Sequence, residues 1–341
     1  MNIIEHYKNQ VRGKKLRVVL PEAHDPRVIQ AARLMADDDI AVPILLGDQS
    51  DARAEAEQLG VKIDDLDFVS ISSDPPDRYL KMLLDGPREI DHVIAGRQVR
   101  RPLHRAALMV RAGDAESFVA GATVPTSRVI QAGLMSLGLA PNIRTASSFF
   151  LIVLPDFLNQ GPKTLFYADC AVVIDPTVEQ LADIAISSAQ SASGLLPEPV
   201  RMALLSFSTK GSASHPRVDK VTEALTLIQQ RAPELLVDGE MQADSALVPT
   251  VAELKMEHTG SVAGRANTLI FPDLDSGNIA YKLSQYLGNA QAIGPFLQGF
   301  ACPISDLSRG CSVNDIVAAC AVCLAQGHDN AADAASNGMT A

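Results

Sequence analysis

Leu165-Phe-Tyr-Ala-Asp-Cys-Ala-Val-Val-Ile174 runs directly into Asp175-Pro-Thr-Val-Glu-Gln180. The first stretch is a short apolar run of strand length. The second is a proline-marked exit in which Thr177 and Gln180 stand at capping-box spacing, and the helical pattern Val178–Ala192 follows. A continuous apolar strand, rather than an alternating one, suits a sheet covered on both faces. The unit recurs outward in both directions. Strand-like runs lie at Leu16–Leu20, Ala41–Leu46, Phe68–Ile71, Ser117–Ala120 and Thr145–Leu154, then at Met202–Phe207, Leu235–Val237 and Thr268–Phe271. Helix-period segments lie between them: Pro26–Ala36, Asp51–Glu57, Arg101–Arg111, Thr126–Gly133, Arg217–Gln230, Gly277–Leu287 and Ser312–Ala325. Such alternation predicts an α/β protein with mainly parallel strands.

The 341 residues suffice for two domains, and the loop Pro141-Asn-Ile-Arg144 is the place to divide them. Gly327–Ala341 lacks periodicity, and a frayed tail is expected over residues 331–341. A net charge of -11 argues against a general nucleic-acid binder and leaves any anion to be held by local arginines. The five cysteines form no paired metal motif and suit a reducing, cytoplasmic setting; Cys320-Ala-Val-Cys323 sits in an apolar helical run and reads as core. No signal peptide or membrane-spanning run is visible. Nor is there an H-E-x-x-H, a G-x-S-x-G or a G-x-G-x-x-G.

Three constellations carry chemistry. Asp306-Leu-Ser-Arg-Gly-Cys-Ser-Val-Asn-Asp315 sets Ser308, Arg309 and Asp315 where a loop feeds an apolar helix. Arginine grips phosphate bidentately, and helix starts favour anions. Ser312 and Asp315 also have capping-box spacing, so Asp315 reads equally as cap or as base. Cys311, beside Arg309, is a rival nucleophile. Ser206-Phe-Ser-Thr-Lys-Gly-Ser212 follows a strand, and the hydroxyls of Ser206, Ser208 and Thr209 suit phosphate oxygens. Asp238, Glu240, Asp273 and Asp275 gather acids, for which turn-forming and capping roles outweigh a metal site; no metal is expected.

Beyond local chemistry, the blocks Leu20-Pro-Glu-Ala-His-Asp-Pro-Arg27, Ser206–Ser212, Asp238–Pro249 and Val262-Ala-Gly-Arg-Ala-Asn267, with Phe271–Lys282, Ala292-Ile-Gly-Pro295 and Asp306–Ile316, resemble the phosphate acetyltransferases. The resemblance implies the reaction acetyl-CoA + phosphate = CoA + acetyl phosphate. Coenzyme A is then a substrate, and no cofactor is tightly bound. It implies two α/β/α domains like those of isocitrate and isopropylmalate dehydrogenases, an active site in the cleft between them, and a homodimer. The expected division is residues 1–143 with 297–330, and 144–296. It implies catalytic roles for Ser308, Arg309 and Asp315, a second functional arginine at Arg128, and a third at Arg88. Where the family carries a His-Ser-Thr stretch, this chain reads Gly121-Ala-Thr-Val-Pro-Thr-Ser-Arg128, so Thr123 and Ser127 would supply the hydroxyls. The chain resembles the short form, without a regulatory N-terminal extension. Tyr281, Ile293 and Pro295 are candidate walls of an acyl pocket. Alternatives are a butyryl or other short-chain transferase, a metal-dependent decarboxylating dehydrogenase of the same fold, and an acyl-CoA-sensing protein.

Overall fold

The computed structural model describes residues 3–85 and 90–337, with side chains to residue 327. The chain forms two compact units, Met1–Pro141 with Phe300–Ala341, and Asn142–Gly299. The first begins with α1 (Ile3–Val11), β1 (Arg17–Leu20), α2 (Pro26–Asp37) and β2 (Val42–Gly47). It continues with α3 (Gln49–Leu59), β3 (Asp67–Ser70), α4 (Asp77–Leu84), α5 (His92–Gln98), α6 (Pro102–Arg111), β4 (Ser117–Ala120) and α7 (Thr126–Ala132). The second holds β5 (Ser147–Leu154), β6 (Lys163–Ala168), α8 (Val178–Ser193), β7 (Met202–Leu205), α9 (Pro216–Arg231) and β8 (Val237–Met241). α10 (Ala243–Leu247), α11 (Pro249–Lys255), β9 (Thr268–Ile270), α12 (Leu274–Tyr286) and β10 (Gln291–Gln298) complete it. The chain then returns to the first unit as β11 (Ile304–Asp306) and α13 (Val313–Asn337).

In the first unit the strands run β3-β2-β1-β4-β11, every pairing parallel. β1 buries Val18, Val19 and Leu20. α2 opens on an Asp25 cap with Pro26 in its first turn, and turns Val28, Ile29, Ala31, Ala32 and Met35 inward. α13 packs on α1, α2 and β4 and is buried without a break from Ile316 to Ala325. A helix apolar all round belongs in a core. Cys320 and Cys323 are part of it, and burial pushes the Cys323 thiol up to about 12. The helix also continues to Asn337, which corrects the expected frayed tail at residues 331–337. The alanines of that stretch are the best helix formers, so the absence of an apolar period did not end the helix.

In the second unit the order is β10-β5-β6-β9-β7-β8. β10–β5 and β5–β6 are antiparallel, and the remaining pairs are parallel. The connection from β5 to β6 is too short for a parallel crossover, so a hairpin interrupts the parallel pattern. The apolar run after Leu165 does not stay a strand to Ile174. Asp169 accepts hydrogen bonds from the N–H groups of Ala171, Val172 and Val173 at 3.0, 3.3 and 2.7 Å, which curls the chain away. The Thr177–Gln180 capping box then starts α8. Side chains from α10, α11 and α12 join one apolar cluster with β5, β6, β7 and β9, to which α8 and α9 contribute nothing. α8 and α9 pack on each other and on the sheet. The chain therefore leaves β7 for one face and β9 for the other, although the two strands are neighbours.

Candidate functional site

β1, β4 and β11 lie side by side and parallel, so their carboxyl ends open at one edge of the first unit's sheet. Open α/β sheets bind ligands there. The three following loops are 21–25, 121–125 and 307–312. Glu22 of the first loop and Arg27 in the first turn of α2 join them.

Glu22, only 3% exposed, occupies a nest of donors. Its Oε2 accepts from the N–H groups of Gly121 and Ala122 at 2.8 and 2.9 Å. Its Oε1 accepts from Thr123 N–H at 2.7 Å, Thr123 Oγ1 at 2.5 Å and Val124 N–H at 3.1 Å. The 121–124 loop is thus wrapped around one buried carboxylate. Arg27 does the converse with carbonyls. It pairs with Asp25 through Nε at 3.0 Å and Nη2 at 2.8 Å. Nη1 donates to the carbonyls of Arg309 and Cys311 at 2.7 and 3.0 Å, and Nη2 to that of Ala122 at 2.9 Å. The rigid guanidinium fork therefore sets the 121–124 and 309–311 loops relative to each other.

On this scaffold Ser308, Arg309 and Asp315 are all exposed. Ser308 Oγ accepts from Gly310 N–H at 3.2 Å, which tightens the turn. Among the described residues the Arg309 and Arg128 guanidinium groups have no acid partner. Arg128 stands in the first turn of α7, and that turn is tied to the end of β11, just before the 307–312 loop, by a bond from Thr126 Oγ1 to Asp306. Asp315 closes a capping box. Its Oδ2 accepts from Ser312 N–H and Oγ, both at 2.8 Å, and Ser312 Oγ accepts from Asp315 N–H at 3.2 Å. Both bonds to Asp315 fall on one carboxylate oxygen. The capping box is thereby formed, and among the described residues the second oxygen accepts no hydrogen bond.

Asp306 is 3% exposed and its Oδ1 has no hydrogen-bond partner. It packs against Gly121, whose φ of 113° and lack of a Cβ allow the approach. Burial first, and the neighbouring Glu22 charge, raise its carboxyl to about 6. A raised carboxyl favours the folded state while protonated, so stability is expected to fall as pH rises from about 4 to about 6. The loss is up to about 3 kcal/mol. Asp306→Asn should remove that dependence, making the variant more stable than the parent at pH 8 and equal to it near pH 4. Urea unfolding at the two pH values checks it.

Other expectations are corrected. The Cys311 thiol is pushed up by burial, against the pull of Arg27. Arg27, with Nη1 3.8 Å from the sulfur, is the cation beside it, so the thiolate nucleophile loses its basis. Thr123 spends its hydroxyl on Glu22. In the second unit Ser208 is fully buried and donates to Glu240 at 2.7 Å. Thr209, also buried, accepts from Gln242 N–H at 3.0 Å. These two hydroxyls are held by Glu240 and Gln242, and Ser206 lines a cavity. Tyr281 stacks on Phe150 at 4.2 Å, Ile293 is buried opposite Leu151 on β10, and Pro295 falls in the irregular stretch between Ile293 and Phe296. Tyr281 thus packs from α12 onto β5, and Ile293 packs within the sheet it stands on. Asp238 pairs with Lys210, Glu240 accepts from Ser208 and Gly211, and Asp273 caps α12. Arg88 lies outside the described residues. Glu22 and Arg27 were visible only as part of a motif without roles; their signal was an acid and an Asp-Pro-Arg directly after a strand.

A family model described as phosphate acetyl/butaryl transferase matches residues 2–324. A phosphate acetyltransferase of Treponema pallidum is 43% identical over 333 residues, 96% of this chain and 99% of that protein. A solved phosphotransacetylase from Streptococcus pyogenes superposes with a TM-score of 0.87 at 34% identity, covering 96% of this chain and 98% of that one. A 4-hydroxythreonine-4-phosphate dehydrogenase from Klebsiella pneumoniae shares the fold, with a TM-score of 0.54 at 10% identity over 92% of this chain and 99% of that one.

Proposed function

The chain belongs to the phosphate acetyl/butaryl transferase family and has phosphate acetyltransferase activity, and on that premise we propose that Arg309, Arg128, Ser308 and Asp315 carry the transfer. Coenzyme A and acetyl-CoA are substrates, and no tightly held cofactor takes part. The two guanidinium groups hold the phosphate and neutralise the charge that gathers on it. Asp315 takes the thiol proton, and the sulfur forms its bond to the acetyl carbon of acetyl phosphate. The carbon–oxygen bond to phosphate breaks, and inorganic phosphate leaves on the arginines. Ser308 donates to the developing oxyanion.

The observation that carries this reading is Arg309, an exposed cation without an acid partner among the described residues, whose own carbonyl is fixed by Arg27. The assay is phosphate-dependent release of CoA from acetyl-CoA, without added metal or nicotinamide, repeated with butyryl-CoA. Acetyl-CoA is expected to react, and silence with both thioesters would overturn the reading. A butyryl-CoA preference would move the chain to the longer-chain branch.

The same premise suggests a homodimer. α12 exposes Ile279, Leu283 and Tyr286, with Leu287 just beyond, an apolar stripe at helical spacing that suits a second copy. Sedimentation equilibrium should return twice 36.3 kDa, and Leu283→Glu with Tyr286→Glu should return the single mass. No described helix is long and apolar enough to cross a membrane, and five free cysteines suit a reducing cytoplasm.

A further inference from the structure

The second unit has a cavity of about 310 Å³ beyond the ends of β7 and β9. It opens where the chain departs from those neighbouring strands to opposite faces. That is the topological switch point of a doubly wound sheet, the usual seat of a ligand. Its volume lies at the small end of ligand pockets. The walls are mostly apolar and carry two phenyl rings, Phe207 and Phe271. Phe207 is 56% exposed, so its ring is open to a planar ligand. Arg217 and Lys220 supply two cations, and Asp273 and Ser206 supply acceptors. Arg217 is 74% exposed and lies 3.6 Å from Asp273, too far for a tight pair. Lys220 is held by Asp175 at 2.9 Å, and Asp175 itself is 82% exposed.

We infer that this cavity binds an adenine nucleotide. A flat heteroaromatic base stacks on phenyl rings, its amino group donates to a carboxylate or hydroxyl oxygen, and its phosphates face the two cations. An apolar acyl group would use the rings but leave the two cations unused. A bare phosphate would use the cations but leave Phe207 uncovered. The choice of adenine rests on the reading above, because coenzyme A ends in adenosine 3′-phosphate 5′-diphosphate. Two sources share this chemistry, the substrate's own nucleotide end and a free adenine nucleotide.

The experiment is calorimetry with adenosine 3′,5′-bisphosphate on the full chain, with Phe207→Ala and Arg217→Ala beside it. Both substitutions are at exposed positions. Each should weaken binding about tenfold, a typical loss for one stacking or charged contact. If the KM for acetyl-CoA rises about tenfold in step, with the change on KM rather than kcat, the pocket holds the nucleotide end of the substrate. If bisphosphate binding weakens and that KM does not move, the pocket takes a free nucleotide. Failure of the parent chain to bind the bisphosphate, or equal binding by both variants, overturns the assignment. Calorimetry needs no turnover, so a parent chain that binds nucleotide but makes no acetyl phosphate would sink the transferase reading and leave the pocket standing.

Discussion

Arg309→Gln should lower kcat/KM by about a thousandfold and raise the KM for phosphate, while urea unfolding stays within about 0.5 kcal/mol of the parent. A preorganised donor aimed at developing charge is typically worth a hundred- to a thousandfold, and a charged, bidentate one stands at the upper end. The side chain is exposed, and no described acid depends on it. What orders the loop is its backbone, because Arg27 binds the Arg309 and Cys311 carbonyls. Those bonds survive the substitution. Arg309→Lys should recover only part of the rate, since an ammonium keeps the charge and loses the fork. Arg27→Met is the contrast: it strands Asp25 and three carbonyls, so both stability and activity should fall. Near-normal turnover in Arg309→Gln would mean that phosphate is held elsewhere.

The difference between Arg309 and Arg27 also shows what was legible in the chain. Arg309 announces itself by local chemistry, a guanidinium in a serine–glycine turn before a helix. Arg27 acts through groups about 95 and 280 residues away, and no periodicity reveals that β1, β4 and β11 are neighbours. The strand–helix alternation was readable because apolar runs and capping residues are local, and the Thr177–Gln180 box formed as its spacing predicts. β10 and β11 were not read as strands. β10 is interrupted by Gly294-Pro295 and alternates poorly, and β11 has only three residues. Composition likewise overran at Ile174, where a single side chain, Asp169, captured the N–H groups that a strand would have used. The cavity beneath Phe207 depends on which face each crossover takes, which is a property of packing rather than of spacing.

Asp315→Asn should lower kcat by at least a hundredfold and cost only about 0.5 kcal/mol of stability. The asymmetry follows from the capping box. Asparagine keeps a carbonyl oxygen able to accept from Ser312 N–H, so the cap persists. What is lost there is the favourable charge at a helix start, about 0.3–1 kcal/mol. Proton acceptance is lost altogether, and a positioned general base is worth about a hundred- to ten-thousandfold. A thiol ordinarily lies about 4.6 pKa units above a carboxylate, about 6 kcal/mol uphill for the proton. The base would therefore work only where the thiolate is stabilised, and Arg309, in the loop that precedes α13 and without an acid partner among the described residues, would supply that cation. Ser312→Ala probes the other half of the same pair. It removes a cap worth about 0.5–2 kcal/mol but leaves the carboxylate, so stability should fall while most of the rate remains. If instead Asp315→Asn turned over normally with an unchanged pH profile, the carboxylate would be a cap alone. The proton would then have to leave the thiol directly to water or to the departing phosphate, whose oxygens the two arginines are proposed to hold.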